Sequence, residues 1–244
     1  MRRFLPALVV AGVALVMTAG TAFAQTNPFV PIGTAGYDTS SYQCTKATTS
    51  TAGYSYGIVR VTGGRPFSVD TCSSSLWTQA ETTSYPMLYE NVAYSKAYSH
   101  QVSSSCANAS SPEGYTGQYL QAWQIGCGES YFAYSKRPID TRTAVAWWLD
   151  VETGNSWSSS DRVLNEAAID GAVDELLSLN VPVGVYSYAG AWNTITTGAG
   201  FRPRNASGAW VPEGGCSGSF SASLPQWFYQ SGTTSWGADA DYAC

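Results

Sequence analysis

Histidine, charge and paired-cysteine motifs are scarce in this chain of 244 residues. The single histidine, His100, is not accompanied by a G-x-S-x-G element, which argues against a Ser-His-Asp hydrolase. No C-x-x-C pair is present, so neither a zinc site nor any other metal or cofactor is expected. Only 12% of the residues are charged, the formal net charge is −5, and no basic stripe occurs. This composition argues against nucleic acid as a partner.

Long apolar runs are also missing after the first two dozen residues. Arginines at positions 2 and 3 precede an apolar stretch from about Leu5 to Val16, and Ala22-Phe23-Ala24 offers a small-x-small cleavage site. The stretch is too short to span a membrane. We therefore expect residues 1–24 to be a signal peptide and residues 25–244 to form one secreted domain, without a membrane anchor and monomeric.

Six cysteines lie beyond the expected signal peptide, at positions 44, 72, 106, 127, 216 and 244. An even number in an exported chain indicates three disulfides, although sequence alone does not choose among the possible pairings. Our prediction is the nearest-neighbour set: Cys44–Cys72, Cys106–Cys127 and Cys216–Cys244.

The stretch AVAWWLDVETG at residues 144–154 carries the clearest chemical signal. Its apolar run predicts a buried strand, which places Asp150 and Glu152 on one face, roughly 6.6 Å apart along the backbone. Trp148 shares that face, while Trp147, Leu149 and Val151 point the other way. Two acids at the carboxyl end of a strand suit acid/base chemistry on an α/β barrel. The alternative is that they begin a solvated loop.

Strand and helix patterns alternate along most of the remaining chain. An apolar stripe from Val163 to Leu177, preceded by a serine N-cap at 158–160 and stopped at Asn180, predicts a helix. The strand at 181–188 then completes a parallel crossover. The other expected elements are strands at 32–37, 54–62, 85–91, 209–211 and 225–230, a helix at 74–81, and an aromatic-rich helix at 117–135 interrupted near Gly126 and Gly128.

Four of these segments resemble, in order, motifs of the family 25 glycoside hydrolases, the muramidases of Chalaropsis type. GYDTSSYQ at 36–43 is similar to the opening "GxDvSxyQ", and WLDVE at 148–152 is similar to the central "DxE" strand. VYS at 185–187 with Trp192 resembles "iYts…w", and WFYQ at 227–230 with Asp241-Tyr242 resembles the closing "WQY…vDl". The resemblance covers about residues 32–242. It implies an α/β fold, a TIM-like (β/α)5(β)3 barrel forming a single domain, here with disulfides.

The resemblance also implies roles for site residues. Glu152 matches the proton donor and Asp150 the group that stabilises the reacting N-acetyl group and the developing positive charge. Asp38 and Asp241 match the other two acids, with Asp239 as the substitute for Asp241. Six further residues are expected to contact the substrate: Arg60, Tyr89, Glu90, Trp148, Tyr186 and Trp227. Arg60, in the middle of a strand, is equally expected to form a structural ion pair with an inward-facing acid.

Two departures from the family pattern bear on activity. Thr62-Gly63-Gly64 stands where the family has "TEG", and Tyr89-Glu90-Asn91 stands where it has "YHF". Glu90 either restores a carboxylate to the cleft or faces outward. The expected function is secreted hydrolysis of β-1,4 bonds in peptidoglycan or another amino-sugar polymer. The alternatives are an inactive barrel that binds wall glycan or serves as a disulfide-stabilised surface protein, and a hydrolase of a different polysaccharide.

Overall fold

A computed structural model describes residues 27–46, 51–138, 144–212 and 214–244, and the expected signal peptide lies outside these ranges. Eight strands form a closed barrel in which each strand pairs with its neighbours in the sequence. The strands are β1 (Ala35–Thr39), β2 (Tyr56–Arg60), β3 (Tyr85–Asn91), β4 (Trp147–Asp150), β5 (Val183–Tyr186), β6 (Ala209–Val211), β7 (Gln226–Thr233) and β8 (Asp239–Ala243). β1 to β7 run parallel, and β8 closes the barrel antiparallel to both β7 and β1.

Helices cover the connections that follow β2 to β5. They are α1 (Ser73–Ala80), α2 (Ser104–Ala107), α3 (Gly117–Lys136), α4 (Arg162–Ser178) and α5 (Ala189–Ile195). Short 3-10 helices occur at Ser41–Gln43, Lys96–Gln101 and Gly215–Ser217. The predicted single-domain barrel, with a last third poor in helices, is confirmed. In the first unit, the described residues between β1 and β2 carry a 3-10 helix in place of an α-helix.

The strands sort their side chains into two apolar layers, as the alternation in β4 predicts. Trp148 lies inside the barrel, where its indole Nε1–H faces the Met87 sulfur at 3.4 Å and its ring packs edge-on against Phe228. Trp147 and Leu149 lie on the other side, in the layer between the barrel and the helices. This alternation directs Asp150 toward the barrel axis.

Two glycines let α3 and α4 approach each other closely. A Cβ on Gly126 would lie 1.8 Å from the backbone oxygen of Ala168, and one on Gly171 would lie 2.0 Å from that of Trp123. The predicted interruption of α3 near Gly126 and Gly128 is wrong, because these glycines lie inside a continuous helix. Close packing of the backbones outweighs the helix-weakening effect of glycine here.

The structure corrects the predicted N-cap of α4 and agrees with the predicted end of this helix. The N-cap is Asp161, whose carboxylate accepts a hydrogen bond from the Val163 amide at 3.1 Å, and not one of the serines that precede it. Ser158 instead accepts a bond from the Asp161 amide through its hydroxyl. Asn180 follows the helix in the left-handed conformation (φ 59°), which explains the stop predicted there.

All three predicted disulfides are present: Cys44–Cys72, Cys106–Cys127 and Cys216–Cys244. The last one ties the 3-10 helix that follows β6 to the residue after β8. Among the residues that the structure describes, none of the helices combines the length and the apolar character that crossing a bilayer requires.

Candidate active site

A polar cleft of about 210 Å³ opens at the carboxyl ends of the parallel strands. Three of the four predicted catalytic acids line it: Asp38 from β1, Asp150 from β4 and Glu152 from the turn after β4. The remaining lining residues are Ser40, Tyr42, Gln43, Arg60, Tyr89, Tyr186, Trp210, Gln230 and Asp239. The barrel therefore brings together acids that are far apart in the sequence.

Asp150 is held by a buried pair of hydrogen bonds. The Asn91 side-chain amide donates to Asp150 Oδ2 at 2.5 Å, and the Thr62 hydroxyl donates to Asn91 Oδ1 at 2.8 Å. The other oxygen, Oδ1, is buried and accepts no hydrogen bond within the described residues. Burial raises the pKa of Asp150 well above its ordinary value, and Glu152 and Asp38 add to the rise, while Arg60 opposes it.

Glu152 lies two residues beyond Asp150 and is half-buried at the edge of the cleft. The Trp157 indole donates to the Glu152 backbone oxygen at 2.8 Å, which fixes the turn that carries this residue. Burial raises the pKa of the Glu152 carboxyl. A raised pKa keeps a carboxylic acid protonated closer to neutrality, as a proton donor requires.

The pairing of β1 with β8 stacks three further acids. Asp38 pairs with Asp239. Asp241 pairs with Gly36, two residues farther along each strand from the mouth of the barrel. Asp38 accepts a hydrogen bond from the Gln230 amide at 2.9 Å, and Asp241 accepts one from the Trp210 indole at 2.9 Å. Burial raises the pKa of both Asp38 and Asp241, and their direct interaction favours one shared proton.

Asp241 is consequently placed beneath the cleft and not in its wall. Its exposed fraction is 0%, and Asp239 is the β8 acid that lines the cleft. The sequence resemblance assigns Asp241 to the site with Asp239 as the substitute. The structure gives the two acids different positions, one buried against Asp38 and one open to the cleft.

Arg60 forms an ion pair with an acid that sequence reasoning missed. Its guanidinium lies 3.2 Å from Asp70 Oδ2 and donates to the Ser41 hydroxyl at 2.7 Å. Asp70 is not an inward-facing strand acid. It comes from the loop before α1 and also accepts from the Ser41 amide at 2.8 Å. Because Arg60 also lines the cleft, the two interpretations of this residue are compatible.

Three of the six predicted substrate contacts lie at the cleft and three do not. Arg60, Tyr89 and Tyr186 line it, and the Tyr186 hydroxyl donates to Gln230 at 3.1 Å. Trp148 is buried inside the barrel, and Trp227 is buried against Phe29 with ring centroids 5.0 Å apart. These two residues are therefore packing residues.

Glu90 faces away from the cleft. It is fully buried in the helix-facing layer, where the Ser130 hydroxyl of α3 donates to it. The expectation that it restores a cleft carboxylate is wrong, and the outward alternative is correct. In β3 the side chains of Tyr89 and Met87 take the barrel face, so that Glu90 takes the other.

Sequence reasoning missed Asn91, Gln230 and Trp210 as parts of the site. Asn91 ends β3 and Gln230 ends the WFYQ motif, so both occupy strand positions that a barrel directs toward its mouth. That position is the signal that could have identified them. Trp210 lies in a three-residue strand with too little pattern to fix its face.

Two clusters place a carboxylate beside a pair of sulfur atoms. They are Cys44–Asp70–Cys72 and Cys106–Cys127–Glu175. Both sulfur pairs are disulfides, and a disulfide sulfur is not the thiolate that binds metals. Neither cluster therefore supports a metal site.

No family model matches the sequence, and no curated protein matches it. Solved structures match the fold. The muramidase from Trichobolus zukalii is 16% identical, with a TM-score of 0.58 over 86% of this chain and 93% of that one. A family 25 glycosyl hydrolase from Bacillus anthracis is 14% identical, with a TM-score of 0.54 over 87% and 89%.

A third similar structure is the modular Cpl-1 endolysin in complex with a peptidoglycan analogue. It is 14% identical, with a TM-score of 0.51, and the match covers 88% of this chain and 55% of the endolysin. At these identities the likeness establishes the fold. The barrel has the same fold as these solved structures, which include a family 25 glycosyl hydrolase, as the four sequence motifs implied.

Proposed function

We propose that this chain is a secreted glycoside hydrolase that cleaves β-1,4 bonds in peptidoglycan or a related amino-sugar polymer. It acts as a monomer on a polysaccharide and uses carboxyl groups as its catalytic acid and base. One observation carries the proposal: Asp38, Asp150 and Glu152 share one cleft at the mouth of the barrel. The solved proteins with this fold support it, since they include a muramidase and an endolysin bound to a peptidoglycan analogue.

Glu152 is the proton donor in this proposal. Its carboxyl proton passes to the glycosidic oxygen as the bond from that oxygen to the anomeric carbon breaks, leaving positive charge on the sugar. Water then adds to the anomeric carbon and returns a proton to Glu152. The half-buried position of Glu152 and its raised pKa suit this cycle.

Asp150 stabilises the positive charge that develops on the sugar. Asn91 fixes one of its oxygens, and the carboxyl group lines the cleft in which the reacting sugar lies. Burial raises the pKa of both Asp150 and Asp38, and the positive charge of Arg60 opposes that rise. The Asp38–Asp241 pair and Asp239 add negative potential on the opposite side of the cleft.

The rival function is glycan binding without hydrolysis, and one observation favours it. The segment Thr62-Gly63-Gly64 lacks the glutamate of the family motif, and Glu90 does not replace it in the cleft. Thr62 instead supports Asn91. A barrel that retains the cleft but lacks one carboxylate would still bind sugar, because several aromatic and polar groups line it.

Reducing-end release from purified peptidoglycan distinguishes these functions. The mature protein should release new reducing ends, and Glu152→Gln should lose at least about 10²-fold in rate, as expected for loss of general acid catalysis. Glu113→Gln is the matched control, because Glu113 forms a partly exposed ion pair with Arg204 away from the cleft. Binding without release by the mature protein between pH 3 and about pH 9, roughly the range over which carboxyls of ordinary and raised pKa titrate, would establish the rival. Equal release by both proteins would remove Glu152 from its role.

A further inference from the structure

Asp70 is a buried acid that joins three segments beside the cleft without lining it. Its side chain is 0% exposed, and it lies in the loop between β2 and α1. Its Oδ2 accepts from the Arg60 guanidinium at 3.2 Å and from the Ser41 backbone amide at 2.8 Å. Its Oδ1 accepts from the Cys72 backbone amide at 3.1 Å. The carboxylate therefore connects the end of β2, the 3-10 helix after β1 and the start of α1.

Two of these three segments form part of the cleft wall. Arg60 lines the cleft, and Tyr42 and Gln43 of the 3-10 helix also line it. Arg60 donates to the Ser41 hydroxyl at 2.7 Å, so Ser41 and Asp70 hold the guanidinium at two of its nitrogens. A free arginine side chain samples many rotamers, whereas two bonds to its planar end group restrict that group to one orientation.

Arg60 is the one cation among the described residues that line the cleft. The acids that line it are Asp38, Asp150, Glu152 and Asp239. Burial raises the pKa of Asp38 and Asp150, neighbouring acids raise it further, and the charge of Arg60 opposes the rise. An arginine side chain remains charged in proteins. The position of this guanidinium therefore affects the charge state of both aspartates.

The other titratable groups beside these two aspartates are acids or phenols. They are Glu152, Asp239 and Asp241 among the acids, and Tyr56, Tyr89 and Tyr186 among the phenols. Burial raises the pKa of all three tyrosines, so they are neutral where carboxyl groups titrate. Within the described part of the chain, Arg60 is therefore the source of positive charge for both aspartates.

We propose, on the basis of the function proposed above, that Asp70 is a positioning residue for hydrolysis and acts through Arg60. It holds the guanidinium at the cleft, where the positive charge balances part of the negative charge of Asp150 and Asp38. Asp70 itself is buried and does not contact the substrate. The two alternatives are a direct effect of its own negative charge and a purely structural role in joining the three segments.

Asp70→Asn separates these three roles by the direction of a pH shift. An amide has one acceptor oxygen, so its NH2 group meets either the Arg60 or the Cys72 donor, and Arg60 loses its charged partner. Displacement of the guanidinium should raise the pKa of Asp150, which must be charged to act. The acidic limb of the kcat/KM profile on peptidoglycan should then move to higher pH by roughly 1 pH unit.

The two alternatives predict other results for the same variant. A direct effect of the Asp70 charge would move the acidic limb to lower pH, because a negative neighbour is removed. A purely structural role would leave the limb in place. Either result overturns the inference.

A double-mutant cycle tests whether the effect passes through Arg60. Asp70→Asn and Arg60→Gln should each lower kcat/KM by about 10-fold, the equivalent of one hydrogen bond to a charged group. The double variant should be no slower than Arg60→Gln, because Asp70 then has no guanidinium to position. Losses that multiply in the double variant overturn the inference. Glu113→Gln, which breaks another arginine–acid pair, is the control and should change neither the rate nor the limb.

Ser41→Ala provides a second route if Asp70→Asn does not fold. Ser41 is exposed, and the change removes only the hydroxyl that binds the Arg60 guanidinium. The acidic limb should move in the same direction by a smaller amount. An unmoved limb in this variant counts against the inference.

NMR titration of the aspartate carboxyl carbons separates this inference from the proposed function, because it needs no turnover. Asp38→Asn and Asp150→Asn assign the two resonances. Higher titration midpoints in Asp70→Asn and in Arg60→Gln than in the mature protein support the inference, and unchanged or lower midpoints overturn it. A mature protein that releases no reducing ends but shows these shifts would remove the proposed function and leave Asp70 as the residue that positions Arg60.

Discussion

The side-chain amide of Asn91 orients the carboxyl group of Asp150 at the cleft. Asn91 is anchored twice by Thr62, since its Oδ1 accepts from the threonine hydroxyl and its backbone amide donates to the same hydroxyl oxygen at 2.9 Å. Its remaining function is to donate to Asp150. Under the proposed function, Asn91 is therefore a positioning residue that orients the carboxyl group of Asp150 without contacting the substrate.

Asn91→Ala should lower kcat on peptidoglycan with little change in KM. Among the described residues, Asn91 gives Asp150 its side-chain hydrogen bond, and a misplacement of a catalytic group by about 1 Å costs on the order of 10²-fold in rate. Thr62→Val, which leaves the amide in place but removes its anchor, should have a smaller effect in the same direction. Steady-state kinetics on folded variants checks both. A rise in KM at unchanged kcat would assign Asn91 to substrate binding.

The site residues that could be predicted from the sequence are those that belong to a clear apolar pattern or to a recognisable sequence motif. Asp150 and Glu152 end an apolar run with a clear period of two, and Asp38 stands inside a recognisable motif. Asp70 could not be predicted, because nothing in the sequence distinguishes a buried polar loop residue from a solvated one. Glu90 was ambiguous for a different reason: a shift of one residue at the end of a strand reverses the face of every side chain.

At the scale of elements, β3 and α3 enclose two acids that the cleft does not use. Glu90 and Glu129 are both buried, and each has one oxygen that accepts no hydrogen bond from the described residues. The Ser130 hydroxyl donates to Glu90 and the Ala93 amide donates to Glu129. Burial raises the pKa of Glu90 to about 8 and that of Glu129 well above its ordinary value. Both groups are therefore neutral in the folded protein at mildly acidic pH.

This arrangement should make the fold more stable in acid than in weak alkali. A carboxyl whose pKa is higher in the folded than in the unfolded chain binds its proton more tightly when folded, so stability falls as pH rises from about 4 toward 8, the Glu90 value. Each such group contributes at most about 1.4 kcal/mol per pH unit in that window. Glu90→Gln should reduce the difference between the free energies of unfolding at pH 5 and pH 8, which urea denaturation measures.

The outcome that would contradict this reasoning is an unchanged pH dependence in Glu90→Gln. Tyr131→Ala, at an exposed position on α3, serves as the control, because it removes no carboxyl group. Other buried acids, including Asp150 and Asp241, give the variant a residual dependence of the same sign.

Apolar periodicity predicts α4 correctly, whereas the glycines of α3 lead to the wrong prediction of an interrupted helix. The stripe of α4 fixes its extent to within a few residues, since apolar spacing dominates there. In α3 the glycines at 126 and 128 indicate a break from propensity alone. The structure uses Gly126 for contact with the α4 backbone, and a contact between distant segments leaves no local trace in the sequence.

At the scale of the molecule, three disulfides reinforce different parts of the barrel. Cys44–Cys72 and Cys216–Cys244 close loops of equal sequence separation, 28 residues each. The first lies beside Asp70, the partner of Arg60, and the second joins the 3-10 helix at Gly215–Ser217 to the residue after β8. Equal loop lengths imply similar restriction of the unfolded chain.

Replacing either cysteine pair with serine should lower the free energy of unfolding by about 2–4 kcal/mol. The two variants should lose similar amounts, because the two disulfides close loops of equal length. Denaturant titration measures the free energy of unfolding of each variant. A markedly larger loss in one variant would contradict the argument from loop length.

The antiparallel fit of β8 between β1 and β7 has a consequence for how the molecule assembles. Until β8 is in place, β1 and β7 each have an unpaired edge, and an unpaired strand edge can pair with a strand of another chain. Two of the disulfides join segments that precede β8, but Cys216–Cys244 requires it. The barrel therefore closes only when β8, the last strand in the sequence, pairs with β1 and β7. A chain synthesised from its N-terminus can add strands in order. Until β8 pairs, however, the acids of the cleft are not all brought together, and the edges of β1 and β7 stay unpaired.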